Sequence, residues 1–180
     1  ALEDDESRLQ RRMFRMFGVE GTSSLRFATN AKMIGGGLDE QLEKFLREHS
    51  DTKLIIVDTL QKVREAVSDS YSYSSDYEVI GKLKQFADRY GICVLIVHHT
   101  RKQPAGDSFE MISGTTGLLG CADGAFLMQK EKRTDSKATL EVVGRDQADQ
   151  RLYLSKDQEN LVWSLDHAEN ELWKQPPDPV

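Results

Sequence analysis

Residues 53–59 read Lys-Leu-Ile-Ile-Val-Asp-Thr, a run of branched apolar side chains that stops at a carboxylate. A run this short, bounded by polar residues, suits a strand buried on both faces of a parallel sheet better than a helix. A second run, Ile92-Cys93-Val94-Leu95-Ile96-Val97, repeats the pattern and ends in His98-His99-Thr100-Arg101-Lys102. Between them, Val79, Ile80, Leu83, Phe86, Ala87 and Tyr90 fall at helical spacing, with Gly91 as the stop. That is the helix a parallel crossover needs. The chain is therefore expected to be α/β, with Asp58 and the two histidines delivered to one edge of a sheet. Ligands bind at that edge in open α/β folds, so Asp58 is a candidate for holding a metal ion beside a phosphate. The competing role is to cap the next helix or satisfy loop amides, and the run alone does not choose between them.

The remaining elements follow from the same periodicities. Glu6 to Phe17 places Leu9, Met13 and Met16 or Phe17 near helical spacing, and Gly18 follows as a C-terminal cap. Leu25 to Thr29 alternates apolar and polar residues and is expected to be a short strand. Gly35-Gly36-Gly37 has no Lys-Ser or Lys-Thr after it and is assigned to a flexible turn. Leu38, Leu42, Phe45 and Leu46 mark a helix ending near His49, whereas Val67 to Ser75 is rich in Ser, Tyr and Asp and reads as a loop. Gln103 to Phe109 is loop-like again. Ser113-Gly114-Thr115-Thr116-Gly117 then opens a short apolar segment, Leu118 to Ala122. Strands are expected at Ala125–Met128, Ala138–Val143, Arg151–Leu154 and Leu161–Leu165, with turns at Asp135-Ser136 and Asp157-Gln158-Glu159-Asn160. The order predicts a mostly parallel sheet with flanking helices, extended at one edge by antiparallel strands. It is assigned to a single domain over residues 1–170, with 171–180 as an unstructured tail.

Composition narrows the function classes. With 38% hydrophobic and 30% charged residues, the 180-residue chain has a soluble globular profile, and no apolar stretch is long enough for a membrane span. Cys93 and Cys121 each sit among apolar residues, the pattern of buried free thiols, which fits a reducing cytoplasm. The net charge of −6 argues against gripping nucleic acid by bulk electrostatics, so any such role must be local or repeated around a ring. His98 and His99 are adjacent on a strand end, where side chains point to opposite faces, and make a poor zinc-chelating pair.

Several motifs stand in order along the chain. They are Ala1-Leu2-Glu3-Asp4-Asp5 with Arg8-Leu9-Gln10, Leu54 to Leu60, Val97 to Lys102, Ser113 to Gly117 with Ala122-Asp123, and Gly144-Arg145-Asp146. The set resembles the RecA-like ATPases of the RepA type, hexameric replicative helicases and their plasmid, phage and mobile-element relatives, from residue 1 to about residue 165. The resemblance implies ATP and Mg²⁺ as cofactors. It makes Glu3 the catalytic glutamate that polarises the attacking water and Asp58, with Thr59 beside it, the Walker B aspartate that holds Mg²⁺. His99 becomes the sensor of the γ-phosphate, in preference to His98, and Arg145 the finger that reaches a neighbouring subunit's nucleotide. It also implies channel loops for single-stranded DNA, with Arg101, Lys102, Thr115 and Thr116 as contacts, and a hexamer as the working assembly.

One family motif is missing. No G-x-x-x-x-G-K-[S/T] phosphate loop occurs in the sequence, and the only Gly-Lys pair, Gly81-Lys82, is followed by Leu83. In the family that loop precedes the Leu-Glu-Asp triplet with which this sequence starts, so an N-terminally truncated ATPase core is expected. Such a fragment would bind ATP poorly, expose sheet surface, and dimerise or swap elements to protect it. The alternative is a non-catalytic RecA-like module that binds DNA or protein. A third reading is a metal-dependent hydrolase using Asp58 and the histidines.

Overall fold

The computed structural model describes residues 1–19, 21–64, 73–100, 109 and 117–170. The chain divides into two compact units, one of residues 1–10 and 22–122, the other of residues 11–21 and 123–180. Helix α1 (Glu6–Phe17) contributes to both. Among the described residues no helix is long and apolar enough to cross a membrane.

In the first unit, β1 (Leu54–Asp58) pairs in parallel with β2 (Cys93–Val97), Leu54 opposite Cys93 and Asp58 opposite Val97. Alternation along each strand sends Ile55 and Val57 to one face with Val94 and Ile96, and all four join the core. Around them pack Leu38 of α2 (Leu38–Glu48), Ile80 and Leu83 of α3 (Tyr73–Tyr90), and Leu118 and Cys121 of α4 (Gly117–Cys121). Each fully buried leucine contributes about 1.5–3 kcal/mol of transfer free energy, which is what holds two short strands flat against helices. The chain between α1 and α2 is drawn onto this core by Ile34, whose N–H donates to Val63 O at 2.7 Å.

Helix ends fall where the residues require them. Asp5 caps α1, its Oδ1 accepting from the Arg8 N–H at 2.8 Å. Gly18 and Gly91 take φ of 68° and 60° just beyond α1 and α3, the left-handed geometry that glycine adopts without a Cβ clash. The Gly35-Gly36-Gly37 stretch is a turn, as expected.

Four expectations fail in this unit. Leu25 to Thr29 forms no strand; its alternation finds no neighbour to ladder with, and Leu25 and Phe27 stay exposed. The loop expected over Val67 to Ser75 ends early, because α3 starts at Tyr73 and the apolar stripe of Ile80, Leu83 and Phe86 carries the helix through serine-rich sequence; residues 65–72 lie outside the described residues. The strands are not buried on both faces: Leu54 and Ile56, on the face that Asp58 shares, are each 49% exposed. Cys93, expected buried, is exposed on that face, while Cys121 is buried.

The second unit is a four-stranded antiparallel sheet in the order β3-β4-β5-β6. Its strands are β3 (Gly124–Gln129), β4 (Lys137–Gly144), β5 (Gln147–Lys156) and β6 (Trp163–Asn170). β5 and β6 run further than the apolar runs suggest, and β6 starts at Trp163 because Leu161 turns the chain with φ of 60°. The expected turn after β5 is held by Asp157, whose Oδ1 accepts from the N–H groups of Glu159 at 2.8 Å and Asn160 at 3.2 Å. Those bonds, Glu159 first, hold the Asp157 carboxyl below its ordinary pKa of 3.8. Arg15, from the part of α1 in this unit, donates to Gln158 O at 2.8 Å and Glu159 O at 2.6 Å.

Candidate functional site

β1 delivers Asp58 to the carboxyl edge of the parallel pair, and the chain then turns into a 3-10 segment over Leu60–Lys62. The Asp58–Thr59 peptide is cis. Thr59 is only 2% exposed, the one polar residue among the buried side chains described. Its hydroxyl donates to Glu3 Oε1 at 3.3 Å. One residue earlier, the Leu2 N–H donates to Asp58 O at 2.7 Å. Two segments more than fifty residues apart are thus stitched together at the strand end, and the Glu3 carboxylate lies beside the Asp58-Thr59 corner.

The segment carrying Glu3 is fixed from its other side. Arg8 donates from Nη2 to Glu3 O at 3.1 Å and pairs through its guanidinium with Asp4. The N-terminal ammonium reaches Ala28 O at 3.2 Å. Arg8 therefore positions the acidic triplet. Sequence reasoning assigned it no role, although the Asp4–Arg8 spacing is the one at which helix-start side chains meet.

His98 and His99 follow β2 directly, and since Val97 is opposite Asp58, both emerge at the same edge as the aspartate. His98 is half-buried and His99 exposed. Arg145 belongs to the second unit, in the β4–β5 turn, where its N–H donates to Asp123 O at 3.0 Å and its guanidinium lies 3.8 Å from the Asp123 carboxylate. Arg101, Lys102, Thr115 and Thr116 lie outside the described residues. The structure thus brings Glu3, Asp58 and Thr59 together with the histidine-bearing strand end.

Chemically, this edge offers two carboxylates and a hydroxyl. Among the described residues no three His, Cys, Asp or Glu side chains form a metal cluster. Mg²⁺ does not require one: it keeps several waters and binds through one or two carboxylates plus substrate phosphates. The all-oxygen donor set of Asp58, Thr59 and Glu3 fits that habit and is a poor fit to zinc, which favours nitrogen and sulfur ligands.

A family model described as an AAA domain matches residues 1–105. No curated protein matches the chain. The matched segment holds β1, β2 and all of Glu3, Asp58, Thr59 and His99, and it stops before Thr115, Thr116 and Arg145.

Proposed function

The chain belongs to the AAA domain family and carries an ATPase-like nucleotide-binding domain; on that premise we propose that it is the ATPase core of a RepA-like DNA-replication or recombination motor, coupling ATP hydrolysis to single-stranded DNA binding or translocation. The observation that supports it most is the Glu3–Thr59 contact at 3.3 Å, beside the Leu2–Asp58 backbone bond. It places a carboxylate suited to polarising water beside the strand end that carries Asp58, a residue suited to a hard cation, and phosphoryl transfer to water uses both.

In this reading Asp58 and Thr59 would hold Mg²⁺, which would offset the negative charge of the phosphates. Glu3 orients the attacking water and accepts its proton, Thr59 keeps that carboxylate in place, and Arg8 holds the Glu3 backbone carbonyl. His99 touches the terminal phosphate from the end of β2 and reports its loss. Arg145 reaches the nucleotide of a neighbouring subunit in a hexameric ring. Arg101, Lys102, Thr115 and Thr116 contact the DNA backbone, where lysine and arginine act on phosphate without reading sequence.

The test is ATP turnover by the full gene product with and without single-stranded DNA, for the wild type and Glu3→Gln. Loss of the base should lower turnover by about 100-fold or more while nucleotide binding persists, and DNA should change the wild-type rate. Unaltered turnover in the variant would sink the role of Glu3, and indifference to DNA would sink the motor.

A further inference from the structure

Away from the Asp58 edge, the antiparallel sheet gathers side chains that none of the roles above uses. Trp163 opens β6 opposite Lys156, at the end of β5. Lys130 lies one residue past β3, at the far edge of the four-stranded order. Both ammonium groups nonetheless stand 5.8 Å from the Trp163 ring centroid. With strands about 4.8 Å apart, the two edges of the sheet are separated by roughly 14 Å. The indole and the Lys130 stem must therefore reach toward each other across one face of the sheet.

Strand alternation identifies that face. Met128 is opposite Leu140 and Leu140 opposite Leu152, while Leu154 is opposite Leu165, so these side chains share a side with Lys156 and Trp163. Phe126 and Leu165 are each 59% exposed and Met128 44% exposed there. The carboxylates sort to the other side, where Glu141 and Glu169 flank Arg151 in register and are already engaged. Glu141 pairs with Arg151 at 2.7 Å, and Glu169 accepts from the Tyr153 hydroxyl at 2.9 Å.

We propose that this face binds single-stranded DNA, with bases stacking on Trp163 and passing over Phe126 while Lys130 and Lys156 hold phosphates. Two cations over one indole beside exposed apolar side chains call for a partner that is polyanionic and has flat apolar units, which a nucleic-acid strand combines. An acidic peptide supplies the charge but not the flat rings. A second copy of the face would bring four lysines together without a carboxylate. The site needs neither nucleotide nor the Arg101-Lys102 loop, so it stands or falls apart from the motor reading.

The experiment is fluorescence anisotropy of a labelled oligothymidylate of about 15 nucleotides with the 180-residue chain, without nucleotide, followed also by quenching of indole emission. Trp163→Leu should weaken binding at least about five-fold. The double variant Lys130→Gln/Lys156→Gln should flatten the salt dependence by about 1.4 in log–log slope, 0.7 for each lost phosphate contact. The lysine substitutions fall at exposed or half-buried positions and remove, besides charge, one exposed bond from Lys130 Nζ to Arg133 O at 3.0 Å, so they remain informative if the tryptophan variant misfolds. Absence of binding by the wild type, or an unchanged slope in the lysine variant, overturns the proposal. So does loss of all binding in Arg101→Gln/Lys102→Gln, or tighter binding of an oligoglutamate peptide or of the equivalent RNA. A dimer that DNA does not dissociate would assign the face to self-association instead.

Discussion

Thr59→Val removes one hydroxyl and keeps the shape of a side chain that is only 2% exposed. The group lost is the donor to Glu3 Oε1, so the substitution probes the contact that joins the acidic triplet to the β1 corner. A hydrogen bond to a charged acceptor contributes about 1.5–3 kcal/mol. At 3.3 Å this one is longer than a good hydroxyl–oxygen bond, and Glu3 is exposed, so screening brings the expected value down to about 0.5–1 kcal/mol. Valine also gains apolar burial, which blurs the single variant. The quantity to measure is therefore the coupling in a cycle of Thr59→Val, Glu3→Ala and the double variant, by urea unfolding of the 180-residue chain. With a slope of about 2 kcal/mol per molar, the coupling corresponds to a midpoint displacement of about 0.25–0.5 M. Additive single variants, with no coupling, would refute the docking of Glu3 on Thr59 and with it the assembled site.

Two further outcomes are expected. Asp157 has a folded pKa below its ordinary 3.8, so the stability it gives the β5–β6 turn is full above that value and is lost as pH falls through the lower folded pKa; the amide signals of Glu159 and Asn160 should titrate with a midpoint below 3.8, and a midpoint at or above it contradicts the two backbone bonds. Because the sequence holds no phosphate loop, equilibrium dialysis of Mg-ATP against the 180-residue chain should show no tight binding; a micromolar dissociation constant would mean that other groups cradle the phosphates.

The sequence discloses the strand that carries Asp58 because branched apolar runs are rare outside strands, and the ends of α1 and α3 because glycine marks left-handed backbone. It does not disclose what covers each face. Leu54, Ile56 and Cys93 are apolar enough for a two-sided core, yet burial depends on neighbours that periodicity does not record. Leu25 to Thr29 fails for the related reason that an alternating pattern becomes a strand only beside another. The Glu3–Thr59 contact spans 56 positions, and no spacing rule connects residues so far apart. The ordered resemblance of the motifs implies a shared site; the hydrogen bonds show that Glu3 meets Thr59 and that Leu2 meets the Asp58 carbonyl. Lys130 and Trp163 were invisible because their meeting follows from strand order and register, and each reads alone as an ordinary turn or edge residue.

Asp58 is proposed to hold the metal that ATP hydrolysis requires. Asp58→Asn keeps the side chain nearly isosteric and removes the charge, so the fold should survive, as circular dichroism and the urea midpoint would report. Steady-state ATP turnover by the full gene product, titrated with Mg²⁺, tests the claim most directly. Turnover and its Mg²⁺ dependence should be abolished together in the variant. Turnover retained at wild-type levels of Mg²⁺ would contradict the claim.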